Sequence, residues 1–157
     1  MPCACVYNDR KIWGKQLWSL LHHIPVMLNN LQKIHQVVDF IQNFYLALPC
    51  EECHKHCKEY MEKNKIVLTD LNNLESCKKD IAKFLYDFHN HVNSFTQKEI
   101  FTNFEDYQKT QPPRPDFAEI KKVFDNPVNK SFFNKFLTPL QRQYNYNLIN
   151  TYIRFGQ

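Results

Sequence analysis

Leu48-Pro49-Cys50-Glu51-Glu52-Cys53 is the stretch from which the rest of the chain can be read. It follows a long apolar-periodic segment and looks like the opening of a helix. Proline at the first helical position forfeits no hydrogen bond and brings a suitable φ. With Pro49 there, Cys50 and Cys53 lie three apart on one side of the first turn. The positive end of the helix dipole favours thiolate over thiol at Cys50. Two thiols held this way can close to a disulfide, reopen and exchange with others. That is redox chemistry, carried by a helix.

Outward from this stretch the pattern stays helical. Asn8 or Asp9 can cap a helix to about Leu28, with Trp13, Leu17, Leu20, Leu21 and Ile24 at helical spacing and Pro25 as a kink or early end. A second helix is expected over 31–46, a third from Pro49 to about Lys63, and a fourth over 74–95. Thr102-Asn103-Phe104-Glu105 reads as a capping box for a short fifth. Gln111-Pro112-Pro113-Arg114-Pro115 is an extended linker. Beyond it, Asp116 can cap a helix to Asp125, Asn126-Pro127 breaks it, and Thr138-Pro139 opens a last one. The organisation expected is an arm at 1–9, a domain at 10–110, a linker at 111–115 and a helical extension at 116–157.

Composition narrows the class. Only 2 of the 157 residues are glycine. Dinucleotide and phosphate loops need several glycines, and so do hairpin-rich β architectures. The net charge of +4 belongs to the segment after residue 111, which is also rich in aromatic residues. That segment is expected to dock on the bundle or on a second subunit. No run is long and apolar enough to span a membrane. Met1 to Cys5 lacks the apolar stretch of an export signal, so the six cysteines point to catalytic or metal thiols rather than a secreted scaffold.

Three chemistries suit the cysteine-rich string. Cys50, Cys53, His56 and Cys57 could supply zinc with four N/S ligands, as in a non-enzymatic adaptor, although they crowd into two helical turns. Cys50-x-x-Cys53-His54 matches a covalent haem attachment pattern. A dithiol–disulfide couple in an all-helical protein needs an electron acceptor, and a flavin suits it. Trp18 and His22, four apart, and His89, Asn90 and Asn93 are candidates to line such a site.

Three separated motifs then resemble the Erv/ALR family of FAD-dependent sulfhydryl oxidases, most of all its short viral members. They are Trp13-Gly14-Lys15-x-x-Trp18-x-x-x-His22, Leu48-Pro49-Cys50-x-x-Cys53, and His89-Asn90-x-Val92-Asn93 followed by Lys98 and Phe101. The resemblance implies an all-α fold: a four-helix bundle plus a short fifth helix holding FAD, here with additional C-terminal helices. It implies Cys50 as the sulfur exchanging with incoming dithiols and Cys53 as the flavin-proximal one. Gly14, Lys15, Trp18, His22, His89, Asn90, Val92, Asn93, Lys98, Phe101 and Tyr107 would be FAD contacts. It further implies dithiol protein substrates or a thioredoxin-like carrier, O2 as acceptor, H2O2 as product and a homodimer, with no membrane or nucleic-acid partner. A viral member would work in the host cytoplasm and could enter the virion. The chain departs from the family at Leu48, where a tyrosine is usual, and at Thr96, where a leucine is usual. The family's structural cysteine before His-Asn is missing, and a Cys57–Cys77 bridge is a possible substitute. Cys3 and Cys5 are candidates for a shuttle disulfide.

Overall fold

The computed structural model describes residues 10–110 and 116–155, and within that span every regular element is helical. Helix α1 (Arg10–Met27) runs through Pro25 without ending, and Leu28 N–H still reaches the Ile24 carbonyl at 3.1 Å. Helix α4 (Leu74–Phe95) begins where Asn73 Oδ1 accepts the Ser76 N–H at 3.1 Å, satisfying one of the donors a helix start leaves open. These two helices pack along each other and form the frame.

The segment between them departs from expectation. The single helix expected over 31–46 is divided into a 3-10 turn (Leu31–Lys33), helix α2 (Ile34–Gln42) and a second 3-10 turn (Phe44–Ala47). Asn43 divides it. Its Nδ2 donates to the Asp39 carbonyl at 2.9 Å and to the Asp39 carboxylate at 3.0 Å, competing with the backbone for the helix's own acceptors. Helix α3 (Glu51–Lys63) starts later than expected. Pro49 is fully buried and lies ahead of the cap. Cys50 is the N-cap, extended at φ −156° and ψ 119°. The short helix α5 (Phe104–Lys109) is capped by Asn103 rather than Thr102, through Glu105 N–H at 2.9 Å and Asp106 N–H at 3.1 Å.

After residue 115, helix α6 (Phe117–Asp125) starts at the expected Asp116 cap. Asn126-Pro127 ends it and at once starts helix α7 (Pro127–Phe136), with Asn126 Oδ1 accepting Val128 N–H at 2.9 Å and Pro127 in the first turn. Helix α8 (Pro139–Phe155) is the last described element. The aromatic tail docks on its own bundle. Ile120, Phe124, Phe132, Phe133 and Leu137 belong to one buried cluster with Leu17, Leu21, Ile41, Phe44, Ile81 and Leu85. Helix α6 lies on α1, and α8 lies on the Phe44–Ala47 turn. Among the described residues no helix is long and apolar enough to cross a membrane.

Candidate functional site

The site has a sulfur end and a ring end, both set against the C-terminal half of α4. At the sulfur end, the extended cap conformation turns Cys50 Sγ back over the first turn of α3. There it accepts the Cys53 N–H at 3.3 Å. Cys50 is 4% exposed and Cys53 is half-buried. Cys50 is disulfide-bonded, and the bond runs to no cysteine of α3 or α4. The next turn of α3 meets α4: His56 lies 4.1 Å from the Phe95 ring, and Tyr60 lies 5.0 Å from Phe88 and 4.7 Å from His91. His54 is edge-on to Tyr45 at 5.1 Å. Burial, and after it Lys58, holds the His54 pKa below its ordinary value.

At the ring end, α1 and α4 bring together what the sequence separates. Gly14, Trp18 and His22 recur every fourth residue and share a stripe. Trp18 stacks on His89 at 3.9 Å and 7°, and on His22 at 5.5 Å and 13°. It also meets Phe88 at 5.3 Å. His22 Nε2 faces His89 Nδ1 at 2.9 Å. The Tyr107 hydroxyl from α5 lies against the His22 ring, 2.6 Å from Nδ1 and 2.5 Å from Nε2. An imidazole that donates from Nε2 to His89 keeps Nδ1 to accept the Tyr107 hydroxyl, so the neutral ring satisfies both neighbours. Burial, and then the neighbouring His89, lowers the His22 pKa to about 3. Burial, and then the Lys98 charge, lowers that of His89 to about 4. Both are uncharged at neutral pH.

The two asparagines of the His-Asn-x-Val-Asn motif hold a loop. Asn90 Nδ2 donates to the Phe101 carbonyl, and Asn90 Oδ1 accepts the Phe101 N–H, both at 2.9 Å. Buried Asn93 donates to the Glu99 carbonyl at 3.0 Å, and its own carbonyl accepts the Lys98 N–H at 2.8 Å. The loop between them passes through Gln97 at φ 57°, a region that costs a side chain of this size some strain. These bonds set Phe101 edge-on to His89 at 5.2 Å and to Tyr107 at 4.7 Å. They also leave Lys98 exposed beside His89. Val92 is half-buried against the core, and Lys15 is exposed one turn before Trp18.

Sequence reasoning missed Tyr86, whose hydroxyl donates to the Phe101 carbonyl at 2.7 Å. Its signal was present: Tyr86 and Asn90 are four apart and reach the same carbonyl. It also missed the bond from Asn145 to Leu46, which joins residues 99 positions apart.

The possible Cys57–Cys77 bridge needs correction, and the zinc alternative loses ground. Cys57 and Cys77 are both thiols, so they form no bridge. Cys77 Sγ donates to the Asp70 carbonyl at 3.3 Å, while Cys57 is buried within α3, where burial and then Cys53 raise its pKa. Among the described residues, no group of three or more His, Cys, Asp and Glu side chains could hold a metal ion. That disfavours zinc: His54 turns to Tyr45, His56 turns to Phe95, and Cys57 points into the core. Cys3 and Cys5 lie outside the described residues.

The donor set suits a flat, partly anionic cofactor. Stacked neutral rings offer planar contact, Lys98 and Lys15 offer charge, and a Cβ added at Gly14 would meet nothing within 4 Å, so a ligand could approach the backbone there. A pocket lined by Ile24, Met27, Leu28, Val37 and Phe40 involves none of these residues.

Comparison with known proteins agrees with this reading. A protein of invertebrate iridescent virus 3, named as an FAD-linked sulfhydryl oxidase, is 36% identical over 93 residues, covering 57% of this chain and 60% of that protein. An FAD-linked sulfhydryl oxidase of African swine fever virus (isolate Pig/Kenya/KEN-50/1950) is 31% identical over 122 residues, 76% of this chain and 85% of that protein. A probable FAD-linked sulfhydryl oxidase of Acanthamoeba polyphaga mimivirus is 28% identical over 109 residues, 65% of this chain and 73% of that protein. No solved structure matches significantly. The model of the Erv1 / Alr family matches residues 15–113, which hold both ends of the site except Gly14, and the chain belongs to that family.

Proposed function

We propose that the chain is an FAD-linked sulfhydryl oxidase, converting two thiols to a disulfide while O2 becomes H2O2. One observation carries the reading: a Cys-x-x-Cys pair at a helix start, its first sulfur hydrogen-bonded by the second cysteine's N–H, set against the same helix as a stack of neutral rings. FAD, when bound, supplies the two-electron acceptor that passes reducing equivalents to O2. Gly14, Lys15, Trp18, His22, His89, Asn90, Val92, Asn93, Lys98, Phe101 and Tyr107 are the residues we propose to hold it. Trp18, His22 and His89 give planar contact and neutral hydrogen-bonding groups. Asn90 and Asn93 act through the loop they peg, and Lys98 meets phosphate charge.

The cysteines carry out the exchange. Cys53 is not joined to Cys50 in this structure. In the oxidised form we propose, the two close to a disulfide, and a substrate thiolate attacks its Cys50 sulfur, forming a mixed disulfide and releasing the Cys53 thiolate. The second substrate thiol, deprotonated, attacks the sulfur of the first. The substrate disulfide leaves, and Cys50 departs as thiolate. The α3 N-terminus stabilises charge on that leaving sulfur. Cys50 is supported as the exchanging sulfur by its being disulfide-bonded in this structure. Neutral His22 and His89 add no cation of their own near the cofactor.

We further propose dithiol proteins or a thioredoxin-like carrier as substrates, a homodimer, a shuttle role for Cys3 and Cys5, and a working place in the cytoplasm of a host cell. The deciding experiment is an absorption spectrum of purified protein followed by oxygen uptake with dithiothreitol. A yellow protein with a flavin band that consumes oxygen is expected. A colourless protein with no uptake overturns the reading.

A further inference from the structure

We propose that Asn145, on α8, is a positioning residue for Cys50, so that the C-terminal helices form part of the scaffold of the redox site. The inference rests on the oxidase reading above, but it invokes a segment beyond the 15–113 region that defines the family.

Helix α8 lies against the 3-10 turn Phe44–Ala47. That turn leads through Leu48 and Pro49 straight to Cys50. Asn145 is 7% exposed, and its Nδ2 donates to the Leu46 carbonyl at 2.5 Å. Its neighbour Tyr144 donates its hydroxyl to the carboxylate of Asp39 on α2. Helix α8 therefore grips the chain on both sides of Asn43, where α2 ends and the turn begins. The turn also touches α3 laterally, through the Tyr45–His54 ring contact at 5.1 Å.

The chemistry of the turn explains why the grip matters. The last carbonyls of a helical turn have no partner within it. Pro49 has no N–H to offer them. Leu46 is itself 5% exposed, so solvent has little access to its surroundings. Asn145 supplies the donor from across the interface. Without it, a buried acceptor is left unsatisfied and the turn must shift to find water. Two rigid links carry a shift of the turn on to the Cys50 cap. Leu48 N–H is bonded to the Tyr45 carbonyl at 3.2 Å, and Pro49 is fully buried with a fixed φ. The cap itself is the 3.3 Å N–H···Sγ contact. A small displacement there weakens the stabilisation of the thiolate and misaligns the sulfur for in-line attack.

The test uses the full-length, flavin-loaded protein. Asn145→Leu removes the donor at greater bulk, and Asn145→Ala removes it without adding bulk and serves where the larger residue does not fold. After reduction, the rate of iodoacetamide alkylation at Cys50 is followed against pH by mass spectrometry, alongside flavin content and dithiothreitol oxidation. Flavin content should stay at the wild-type level. Alkylation at pH 7 should fall roughly three- to tenfold, its pH midpoint should move upward, and kcat should fall in parallel. Asn145→Gln, which keeps the NH2 donor, should restore at least half of the rate. A wild-type alkylation profile in both the Leu and Ala variants overturns the positioning role. So does loss of flavin from both, which would mark Asn145 as a general structural residue. A wild-type protein that oxidises no dithiol counts against the oxidase reading instead, while the alkylation profile still decides the role of Asn145.

Discussion

Two helix starts in this molecule carry a buried cysteine, and they treat it in opposite ways. At α3, Cys50 Sγ is an acceptor and takes the Cys53 N–H. At α4, Cys77 Sγ is a donor and gives its hydrogen to the Asp70 carbonyl. Burial, Asp80 and Asp70 all raise the Cys77 pKa. Both sulfurs sit near the positive end of a helix dipole, so the dipole alone does not make a reactive thiol. Acidic side chains stand near both, Glu51 and Glu52 at α3 and Asp70 and Asp80 at α4, so what separates the two sulfurs is the direction of the hydrogen bond. Cys57 sharpens the point. It is as buried as Cys50, at 4% exposed, but lies inside the helix, where no backbone N–H is left to donate. Its pKa is raised, first by burial.

The strongest way to break this contrast is to remove the sulfurs one at a time. Cys50→Ser or Cys53→Ser should retain bound flavin and lose dithiol oxidation roughly a thousandfold or more, because a hydroxyl cannot form the disulfide. Cys77→Ser and Cys57→Ala should keep turnover within about twofold, since neither thiol takes part. Oxygen uptake with dithiothreitol reads all four. Cys50→Ser should also keep the α3 cap, because serine is a favoured N-cap.

Next in size is the strut that both ends of the site share. Leu85 on α4 is 0% exposed. Leu85→Ala should cost about 2–5 kcal/mol in a urea titration, the range for a buried leucine that leaves a cavity.

The ring end should reveal itself through acid. His22 and His89 are held at about 3 and about 4 in the fold, against an ordinary 6.5. Below pH 6.5 the unfolded chain takes up protons that the folded chain refuses. Stability should therefore be full above about pH 6.5 and fall as the pH drops toward 4. The slope approaches about 1.4 kcal/mol per pH unit for each histidine. Thermal melts across pH 5–7 should show it, and His22→Asn should flatten the slope.

The smallest effect compares the two caps. Asn73→Ala removes the acceptor for Ser76 N–H at α4 and should cost about 1 kcal/mol with no change in dithiol oxidation.

The helices that could be read correctly were those with a strong cap and an unbroken stripe. Helices α4 and α6 began at the expected places because Asn73 and Asp116 each precede a regular apolar period. The break at Asn43 was hidden, because its side chain pairs with Asp39 instead of continuing the stripe. Helix α7 was hidden because Asn126-Pro127 reads as a stop, although the same pair also starts a helix. The all-helical class and the family were legible from short spacings: Trp18 to His22, Cys50 to Cys53, Asn90 to Asn93. Contacts without a local period were not legible. Tyr107 meets His22 across 85 positions, and nothing near either residue signals the other. Asn90 and Asn93 read as FAD contacts, and the use of their amides on the backbone of 99–101 had no signal in the sequence.

That use of Asn90 and Asn93 fixes where the nearby cation can stand. The loop bearing Lys98 takes its position from two amides three residues apart on one helix. Each residue of an α-helix advances about 100° around the axis. One residue inserted in α4 ahead of Asn90 would carry both amides, the loop they hold and its ammonium around the axis together, away from Trp18 and His22 on α1, with the lysine itself untouched. The address of that charge is therefore written in helical phase, and a lengthened α4 would misplace it as surely as deleting it.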